Sequence, residues 1–325
     1  MSYKIIADSC CEFPEEYKED PRFVNIPLGL DVAGEHLWDD ETFDQASFLQ
    51  KVASSKTCPR SCCPSPEKYM RAYDTDAENI FVFTLSSKLS GSYNSAVIGK
   101  TLYEEKHGEK NIFVCDSHSA SVGETQLALK AAKWSEEGLP FAEICEKLLA
   151  FRDEMRTYFV LDNLETLRKN GRLTGVKALV ASTLSIKPVM AGREGEIEKQ
   201  AQAVGMKKAL AKMAELMLHE VPDTAKRVLM ISHCNCKDRA EYVKKLFLGG
   251  ATGEKIRQAV ISCPEYDPKA LEITDCGSFE PAVRAAAAAA KPGDVVLMSP
   301  ASAAFDQFKN FMVRGAFFKK LVKEL

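Results

Sequence analysis

Short apolar runs alternate with longer amphipathic stretches along most of the chain. Four of these runs are rich in β-branched or aromatic residues and are too short for helices, so they predict strands. They span residues 3–7, 24–28, 80–85 and 112–115. Because stretches with helical spacing separate them, the pattern predicts an α/β domain with a mainly parallel sheet.

The helices between these strands are predicted from apolar spacing and from helix-start signals. Residues 38–56 carry an apolar stripe at helical spacing, and Pro66 followed by Glu67 is typical of a helix start. Further helices are predicted after the loop at 86–92, over 125–137 and over 141–155. The cysteine-proline segment 58–67 is predicted to be a loop.

The second half continues the alternation of strands and helices. In chain order, the pattern predicts a strand at 158–161, a helix ending at 170–171, a buried helix at 176–184, a strand from 186, a hairpin turn at 194–196, a helix at 206–220 and a strand at 228–232. The last part predicts a helix over 280–290, a strand at 295–299 and a helix over 305–325. Six consecutive alanines give the first of these its strong helix propensity.

Composition narrows the class of protein. The chain has 325 residues, which at about 150 residues per domain predicts roughly two domains, and 46% hydrophobic residues exclude a mainly disordered chain. The 43 basic residues nearly balance the 46 acidic ones, which argues against a dedicated nucleic-acid-binding protein. No apolar run is long enough for a membrane-spanning helix, and the N-terminus lacks signal-peptide features. The eleven cysteines are therefore expected to be reduced thiols in the cytoplasm.

Polar pairs follow three of the predicted strands. They are Asp8-Ser9, Ser86-Ser87 and Asp116-Ser117. Because ligands of parallel sheets collect beyond the carboxyl ends of the strands, we expect these pairs to form one constellation.

The loop after the strand at 80–85 is the most informative of these features. Four serines at 86, 87, 90 and 92 surround Gly91 just before a predicted helix. Glycine permits close backbone approach, and free N–H groups at a helix N-terminus bind anions, so the loop suits a carboxylate or a small phosphate. The alternative is a capping loop with solvated serines. The motif of a nucleotide-binding P-loop is absent, which excludes a P-loop as the explanation.

Other reactive side chains have a plain structural reading beside the functional one. Cys58, Cys62 and Cys63 lie close together, as do His233, Cys234 and Cys236, but neither spacing is that of a metal site, so no metal is predicted. His118, beside Asp116, is the best-placed candidate base, although a loop histidine with an ordinary hydrogen bond is the simpler interpretation.

A small basic cluster and an aromatic stripe have two readings each. Arg168, Lys169 and Arg172 complement a helix dipole, or form a docking site for an acidic partner or a phosphate. Phenylalanines at 308, 311, 317 and 318 favour core packing over a cofactor site.

Several motifs resemble those of the DegV family, in the family's order, over residues 1–240. They are IIADSCCEFP (the strand followed by Thr-Asp-Ser, with Ala7 at the threonine), SCCPSPE (the Thr-Ser-x-Pro-Ser loop), LSSKLSGSYNSA, CDSHSASVG, LRKNGRLTG and ISHCN. The resemblance implies two α/β lobes, with domains at 1–155 and 156–242, that hold a long-chain fatty acid between them.

The resemblance also implies site residues, a partner and the absence of a cofactor. Ser61, Ser90 and the backbone at Gly91 would contact the fatty-acid carboxylate, and Arg172 would face a fatty acid kinase that receives the lipid. The neighbouring pocket floor would comprise Asp8, Ser9, Cys62, Asp116 and Ser117. The protein would then be a carrier rather than an enzyme, with the fatty acid as its ligand.

The chain departs from the DegV pattern towards its end. Val204 occupies a usual arginine position, and the family's glycine-rich C-terminal segment is absent. Instead, residues 243–325 resemble the C-terminal end of the UDP-N-acetylmuramoylalanine–D-glutamate ligase family (MurD), most clearly in SPASAAFDQFKNFMVRGAFF. Phe311 keeps that family's aromatic, whereas Ala304 replaces its serine. The segment is expected to be an α/β fragment of Mur-ligase type that completes or follows the second domain. A non-binding scaffold, or a vestigial amino-acid ligase fragment, is therefore the alternative function.

Overall fold

The computed structural model describes residues 2–173, 185–221, 227–248, 279–291 and 311–325, together with a few isolated positions between them. By its packing the chain divides into two compact units, Met1–Gln202 and Ala203–Leu325. The domain boundaries near 155 and 242 stay a prediction.

The described strands and helices follow the chain in this order. The strands are β1 (Tyr3–Asp8), β2 (Phe23–Ile26), β3 (Gly29–Val32), β4 (Glu35–Trp38), β5 (Arg60–Cys62), β6 (Asn79–Thr84), β7 (Asn111–Asp116), β8 (Thr157–Phe159), β9 (Ile186–Arg193) and β10 (Glu196–Val204). The helices are α1 (Glu15–Lys18), α2 (Gln45–Ser54), α3 (Pro66–Tyr73), α4 (Ser92–His107), α5 (Val122–Glu136), α6 (Phe141–Glu154), α7 (Glu165–Lys169), α8 (Met206–Glu220), α9 (Lys237–Leu248), α10 (Phe279–Ala289) and α11 (Phe311–Glu324).

A parallel sheet with strand order β2-β1-β6-β7 forms the centre of the first unit. Its residues alternate between two apolar layers, as successive side chains of a strand must. Ile5 and Phe83 face the layer that contains Leu127 of α5, whereas Ile6 and Val82 face the layer of α3 and α4. Every residue of β6 is buried, as expected for an inner strand covered on both faces. The predicted α/β fold with a parallel sheet is confirmed.

The segments between β2 and β6 in the chain form a small antiparallel sheet with order β4-β3-β5. It corrects two predictions. The helix predicted over 38–56 begins only at Gln45, because Trp38 ends β4 and pairs with Gly29. The segment 58–67 is not all loop, because Arg60–Cys62 forms β5 and pairs with β3. Short polar strands lack the alternation of apolar residues from which a strand could be predicted.

A third sheet, order β10-β9-β8, contains the predicted hairpin. Glu194 and Gly195 form its turn with φ values of 49° and 86°. Two positive φ values are typical of a type I′ turn, whose twist matches that of paired strands. The predicted turn at 194–196 is confirmed.

The remaining predictions have mixed outcomes. Pro66 opens α3 and Met206–Glu220 is helical, as predicted. The strand predicted at 228–232 is wrong, because these residues have no strand structure and Val228 is 66% exposed. An apolar run needs a pairing strand and a layer to cover it, and neither follows from the run alone. The predicted helix at 176–184 and strand at 295–299 lie outside the described residues.

The second unit contains two described helix pairs. Helix α8 packs on α9, and α10 packs on α11. The ring of Phe279 lies 6.4 Å from those of Phe317 and Phe318, in keeping with a packing role for the aromatic stripe. Most of the Mur-like segment, including Ala304 and the side chain of Phe311, lies outside the described residues. Among the described helices, none has the length and apolarity needed to cross a membrane.

Candidate functional site

Three neighbouring strands of the parallel sheet end in polar residues at the same edge. Asp8 ends β1, Thr84 ends β6 and Asp116 ends β7, and β6 lies between the other two. The sheet order therefore brings together the three polar pairs singled out in the sequence. This carboxyl edge is where a parallel sheet offers its ligand site.

Asp8 is a buried brace for the loops at this edge. Its Oδ2 accepts a hydrogen bond of 3.0 Å from the Leu85 N–H, and its Oδ1 accepts one of 3.2 Å from the Cys10 N–H. Burial raises the pKa of Asp8 to about 6, while the hydrogen bond from Leu85 opposes that shift. The Asp8 carboxylate thus holds the start of the loop that leads to Ser90.

Ser9 joins the end of β1 to two other segments. Its Oγ donates a 2.7 Å hydrogen bond to Oδ2 of Asp39 and accepts a 3.0 Å hydrogen bond from the Leu28 N–H. Burial raises the pKa of Asp39, although the hydrogen bond from Ser9 stabilises its charged form. The two hydrogen bonds of this hydroxyl therefore hold the segments that directly precede β3 and directly follow β4.

Asp116 and Ser117 brace the same edge on its other side. The Asp116 Oδ1 accepts hydrogen bonds from the N–H groups of Ser87, at 3.1 Å, and His118, at 3.2 Å. Ser117 is buried, and its Oγ donates to the carbonyl oxygen of Ser119. The His118 Nε2 lies 3.8 Å from Oδ2 of Asp116, so this histidine is placed beside a carboxylate.

The loop before α4 is ordered by its own serines. The buried Ser86 Oγ donates a 2.7 Å hydrogen bond to the carbonyl oxygen of Gly195. The Ser90 Oγ lies 3.1 Å from the Ser92 Oγ and accepts a hydrogen bond from the Ser92 N–H. Gly91 is exposed and caps α4 without a side-chain hydrogen bond. Exposed backbone N–H groups and the positive end of a helix dipole both favour an anion there.

The strand that carries Ser61 reaches the start of α4. A Cβ on Gly91 would lie 3.0 Å from the Cys63 Sγ, so the segment just after β5 abuts the helix start. Ser61 is exposed and pairs with Leu30, whereas Cys62 pairs with Gly29. Adjacent residues of a strand point to opposite faces, so Ser61 and Cys62 do not share a surface. Cys62 was expected in the pocket floor. The position of Cys63 beside Gly91 was not predicted from the sequence.

Two side chains after α7 tie these loops together. The Asn170 Nδ2 donates a 2.9 Å hydrogen bond to the Pro59 carbonyl oxygen, next to β5, and the Arg172 Nε donates one of 3.2 Å to the Leu89 carbonyl oxygen. Arg172 is half-buried, and this hydrogen bond ties its guanidinium to the loop that contains Ser90. Nothing in the sequence pattern marked Asn170, which was interpreted only as part of a helix end.

Arg168 and Lys169 are exposed cations in the last turn of α7. Both lie near Glu165, at 3.0 Å for Arg168 and 3.8 Å for Lys169. Such exposed pairs contribute little to stability, so the fold depends little on these two cations.

The arrangement suits anion binding more than chemistry on the anion. Its donors are neutral hydroxyls and backbone N–H groups, which hold a carboxylate without exchanging protons with it. Among the described residues, Asp8, Cys10 and Glu124 form a group whose ligand atoms are close enough to hold a metal ion.

Comparison with known proteins separates the larger, DegV-like part of the chain from its C-terminal residues. The family model described as an uncharacterised protein of the DegV family matches residues 2–263. The match extends past the expected limit near 240, so residues 243–263 belong to the DegV match rather than to the Mur-like segment. The comparisons give no support to the Mur-like resemblance of the C-terminal residues.

Three relatives illustrate the likeness. A DegV domain-containing protein of Streptococcus gordonii is 35% identical over 254 residues, which cover 76% of this chain and 89% of the relative. The crystal structure of a DegV-family protein from Ruminococcus gnavus, refined with vaccenic acid, is 50% identical with a TM-score of 0.74 and covers 76% of this chain and 88% of its own.

The third relative is the Fatty Acid Kinase (Fak) B3 protein of Streptococcus pneumoniae, loaded with linoleic acid. It is 30% identical with a TM-score of 0.67, and the match covers 80% of this chain and 89% of that protein. With a family model that matches most of its length and such relatives over three-quarters of it, the chain belongs to the DegV family.

Proposed function

We propose that the protein binds one long-chain fatty acid and presents its carboxylate to a fatty acid kinase, without catalysing a reaction itself. Ser61, Ser90 and the backbone at Gly91 hold the carboxylate. The observation that carries the proposal is the contact of Cys63 with Gly91, which brings the strand of Ser61 to the start of α4. The acyl chains in the structures of the relatives support the same ligand class.

The energetics suit a carrier that must also release its ligand. Each hydrogen bond from a neutral donor to a charged carboxylate contributes about 1.5–3 kcal/mol. Burial of the acyl chain contributes about 0.8 kcal/mol per CH₂ group, so the chain provides most of the affinity. The carboxylate is then held by few contacts and stays available to a second protein.

The buried and half-buried polar side chains at the carboxyl edge hold the loops around this site. Asp8, Ser9, Asp116 and Ser117 are each hydrogen-bonded to loop backbone or side chains. They fix the loops rather than touch the ligand. In the proposal, Cys63 lies beside Gly91, whereas Cys62, expected in the pocket floor, points to the opposite face of β5 from Ser61.

The exposed cations in the last turn of α7 form the proposed kinase-facing surface. Arg168 and Lys169 offer positive charge, and Arg172 anchors the segment to the loop of Ser90 through Leu89. A basic surface beside the carboxylate would steer an acidic partner to the ligand. A kinase consumes ATP, which locates the proposed transfer in the cytoplasm.

The residues after 263 carry the second candidate. Their resemblance to the C-terminal end of the Mur ligases supports an interaction segment or a vestige of a ligase. Ala304 at the ligase's serine position and the lack of a P-loop argue against retained ligase activity.

The test is a titration of the delipidated full chain with oleate, followed by displacement of a fluorescent fatty acid. Ser61→Ala and Ser90→Ala should each weaken oleate binding about tenfold, the loss of about 1.4 kcal/mol. Ser87→Ala is the matched control, because Ser87 is exposed in the same loop and its backbone N–H makes the contact with Asp116. Equal affinity in all three variants would contradict the proposed carboxylate site.

A further inference from the structure

A group of three potential metal ligands lies behind the carboxyl edge of the sheet. One carboxylate oxygen each of Asp8 and Glu124 and the Cys10 Sγ all lie within 4.8 Å of one another. Asp8 ends β1, Cys10 follows two residues later, and Glu124 is in the first turn of α5. Both acidic residues are fully buried.

Neither carboxylate oxygen of Glu124 makes a hydrogen bond of standard geometry, although both oxygens are buried and Asp8, Cys10 and the Ser121 backbone lie close by. An ionised carboxylate in such a place is strongly destabilising unless something neutralises it. Native proteins keep few such groups, and each one indicates water, an ion or a functional role. Burial, followed by the charge of Asp8, raises the pKa of Glu124 well above its usual range.

Tyr69 provides a second, independent observation. Its hydroxyl is buried and makes no hydrogen bond of standard geometry in the described structure, although Ser92 lies close by. Burial raises the pKa of Tyr69, and the next largest influence is the negative charge of Asp8, with Glu124 also contributing. The Tyr69 hydroxyl on α3 is thus close enough to the carboxylates of Asp8 and Glu124 for their charges to act on it.

Positive charge is missing from the neighbours that act most strongly on the two carboxyls. Asp8 is influenced by the N–H groups of Leu85 and Cys10, by Ser92 and by Glu124. Glu124 is influenced by Asp8, Cys10 and the backbone of Ser121. Two buried acids, a thiol and a phenol without a basic side chain among these neighbours form an environment that a cation would stabilise.

We propose that Asp8, Cys10 and Glu124 bind a divalent metal ion, and that Zn²⁺ is the ion that fits them best. One sulfur and two carboxylate oxygens form a donor set that Zn²⁺ accepts, whereas Mg²⁺ and Ca²⁺ prefer oxygen alone. Zinc ligands in a tetrahedral site lie about 3–4 Å apart. The three groups therefore need only small side-chain rotations to enclose the ion.

The ion would have a structural role. It would join the end of β1 to the start of α5, while Asp8 still accepts the hydrogen bond of the Leu85 N–H. The loop that leads to Ser90 would then be held more firmly. This site does not depend on the proposed fatty-acid binding, since none of its ligands belongs to the set assigned to the carboxylate.

The test combines elemental analysis with cobalt spectroscopy on the full chain. After incubation with Zn²⁺ and gel filtration, the wild type should retain about one ion per chain and unfold at a higher temperature than after chelation. With Co²⁺ it should show a thiolate-to-cobalt absorption band. Cys10→Ser should remove that band and Glu124→Gln should abolish retention, whereas the exposed Cys62→Ser should keep both.

The overturning results are equally defined. No retained zinc and no thermal response would show that the interior holds only water or a proton shared by the two acids. A cobalt band that survives in Cys10→Ser but disappears in Cys62→Ser would place any metal at the surface cysteines. If Glu124→Gln folds poorly, Cys10→Ser alone decides, because serine keeps the size of the side chain and removes the sulfur.

Discussion

The Ser86 hydroxyl donates a hydrogen bond of 2.7 Å to the carbonyl oxygen of Gly195, which joins the loop before α4 to the β9–β10 turn. Glycine is required at this turn for two reasons. Its φ of 86° is a left-handed conformation, and a Cβ there would lie 2.5 Å from the Ser86 Oγ. Two segments more than 100 residues apart in the chain are thus fixed by one contact.

Ser86→Ala should destabilise the protein by about 1–3 kcal/mol, because the buried Gly195 carbonyl oxygen would lose its side-chain donor. Urea unfolding monitored by circular dichroism measures the change. Ser87→Ala, in the same loop but exposed, should leave the unfolding midpoint almost unchanged. Equal midpoints for the two variants would show that the Ser86 contact contributes nothing.

Gly91→Ala should weaken oleate binding about three- to tenfold, because the new methyl group would push against the Cys63 Sγ. The φ of −78° at Gly91 is acceptable for alanine, so backbone strain is not the cause. Adding Cys63→Ala removes the sulfur and should restore most of the affinity. A double variant no better than Gly91→Ala would contradict the contact, as measured by a double-mutant cycle.

Asn170→Ala should weaken oleate binding several-fold, because Asn170 holds the Pro59 carbonyl and hence the strand of Ser61. Lys169→Ala is the matched control, since Lys169 is an exposed neighbour that makes no such contact with β5. Isothermal titration with oleate compares the two. If both variants bind oleate like the wild type, the tether does not position the carboxylate site.

Replacement of Arg168 and Lys169 by glutamate should separate lipid binding from partner binding. Both side chains are exposed, so oleate affinity should not change, whereas affinity for the fatty acid kinase should fall about tenfold or more. Surface-based binding of the purified kinase to lipid-loaded carrier at low salt gives the comparison. Unchanged kinase binding would move the proposed docking surface elsewhere.

The sequence carried enough information for the parallel sheet and the positions of its polar ends. The run at 80–85 is almost wholly apolar because β6 is covered on both faces. Such a continuous apolar run is typical of a fully buried strand and can be recognised in the sequence. Asp8 and Asp116 could then be placed at one edge by topology rules alone.

The β4-β3-β5 sheet and the tethers could not be predicted in the same manner. Cys62 lies in a three-residue exposed strand whose identity depends on pairing with Gly29, which no local pattern encodes. Asn170 acts through a hydrogen bond to Pro59, more than 100 residues earlier in the chain. Long-range contacts of single polar side chains leave no periodicity, so only the fold reveals them.

The most direct test of the central claim is native mass spectrometry of the purified full chain, before and after addition of oleate. We expect one long-chain fatty acid per chain, either carried through purification or taken up from the added oleate. Ser61→Ala combined with Ser90→Ala should reduce the bound fraction sharply, whereas Ser87→Ala should match the wild type. Wild-type protein that is recovered without lipid and takes up neither oleate nor palmitate would contradict the account.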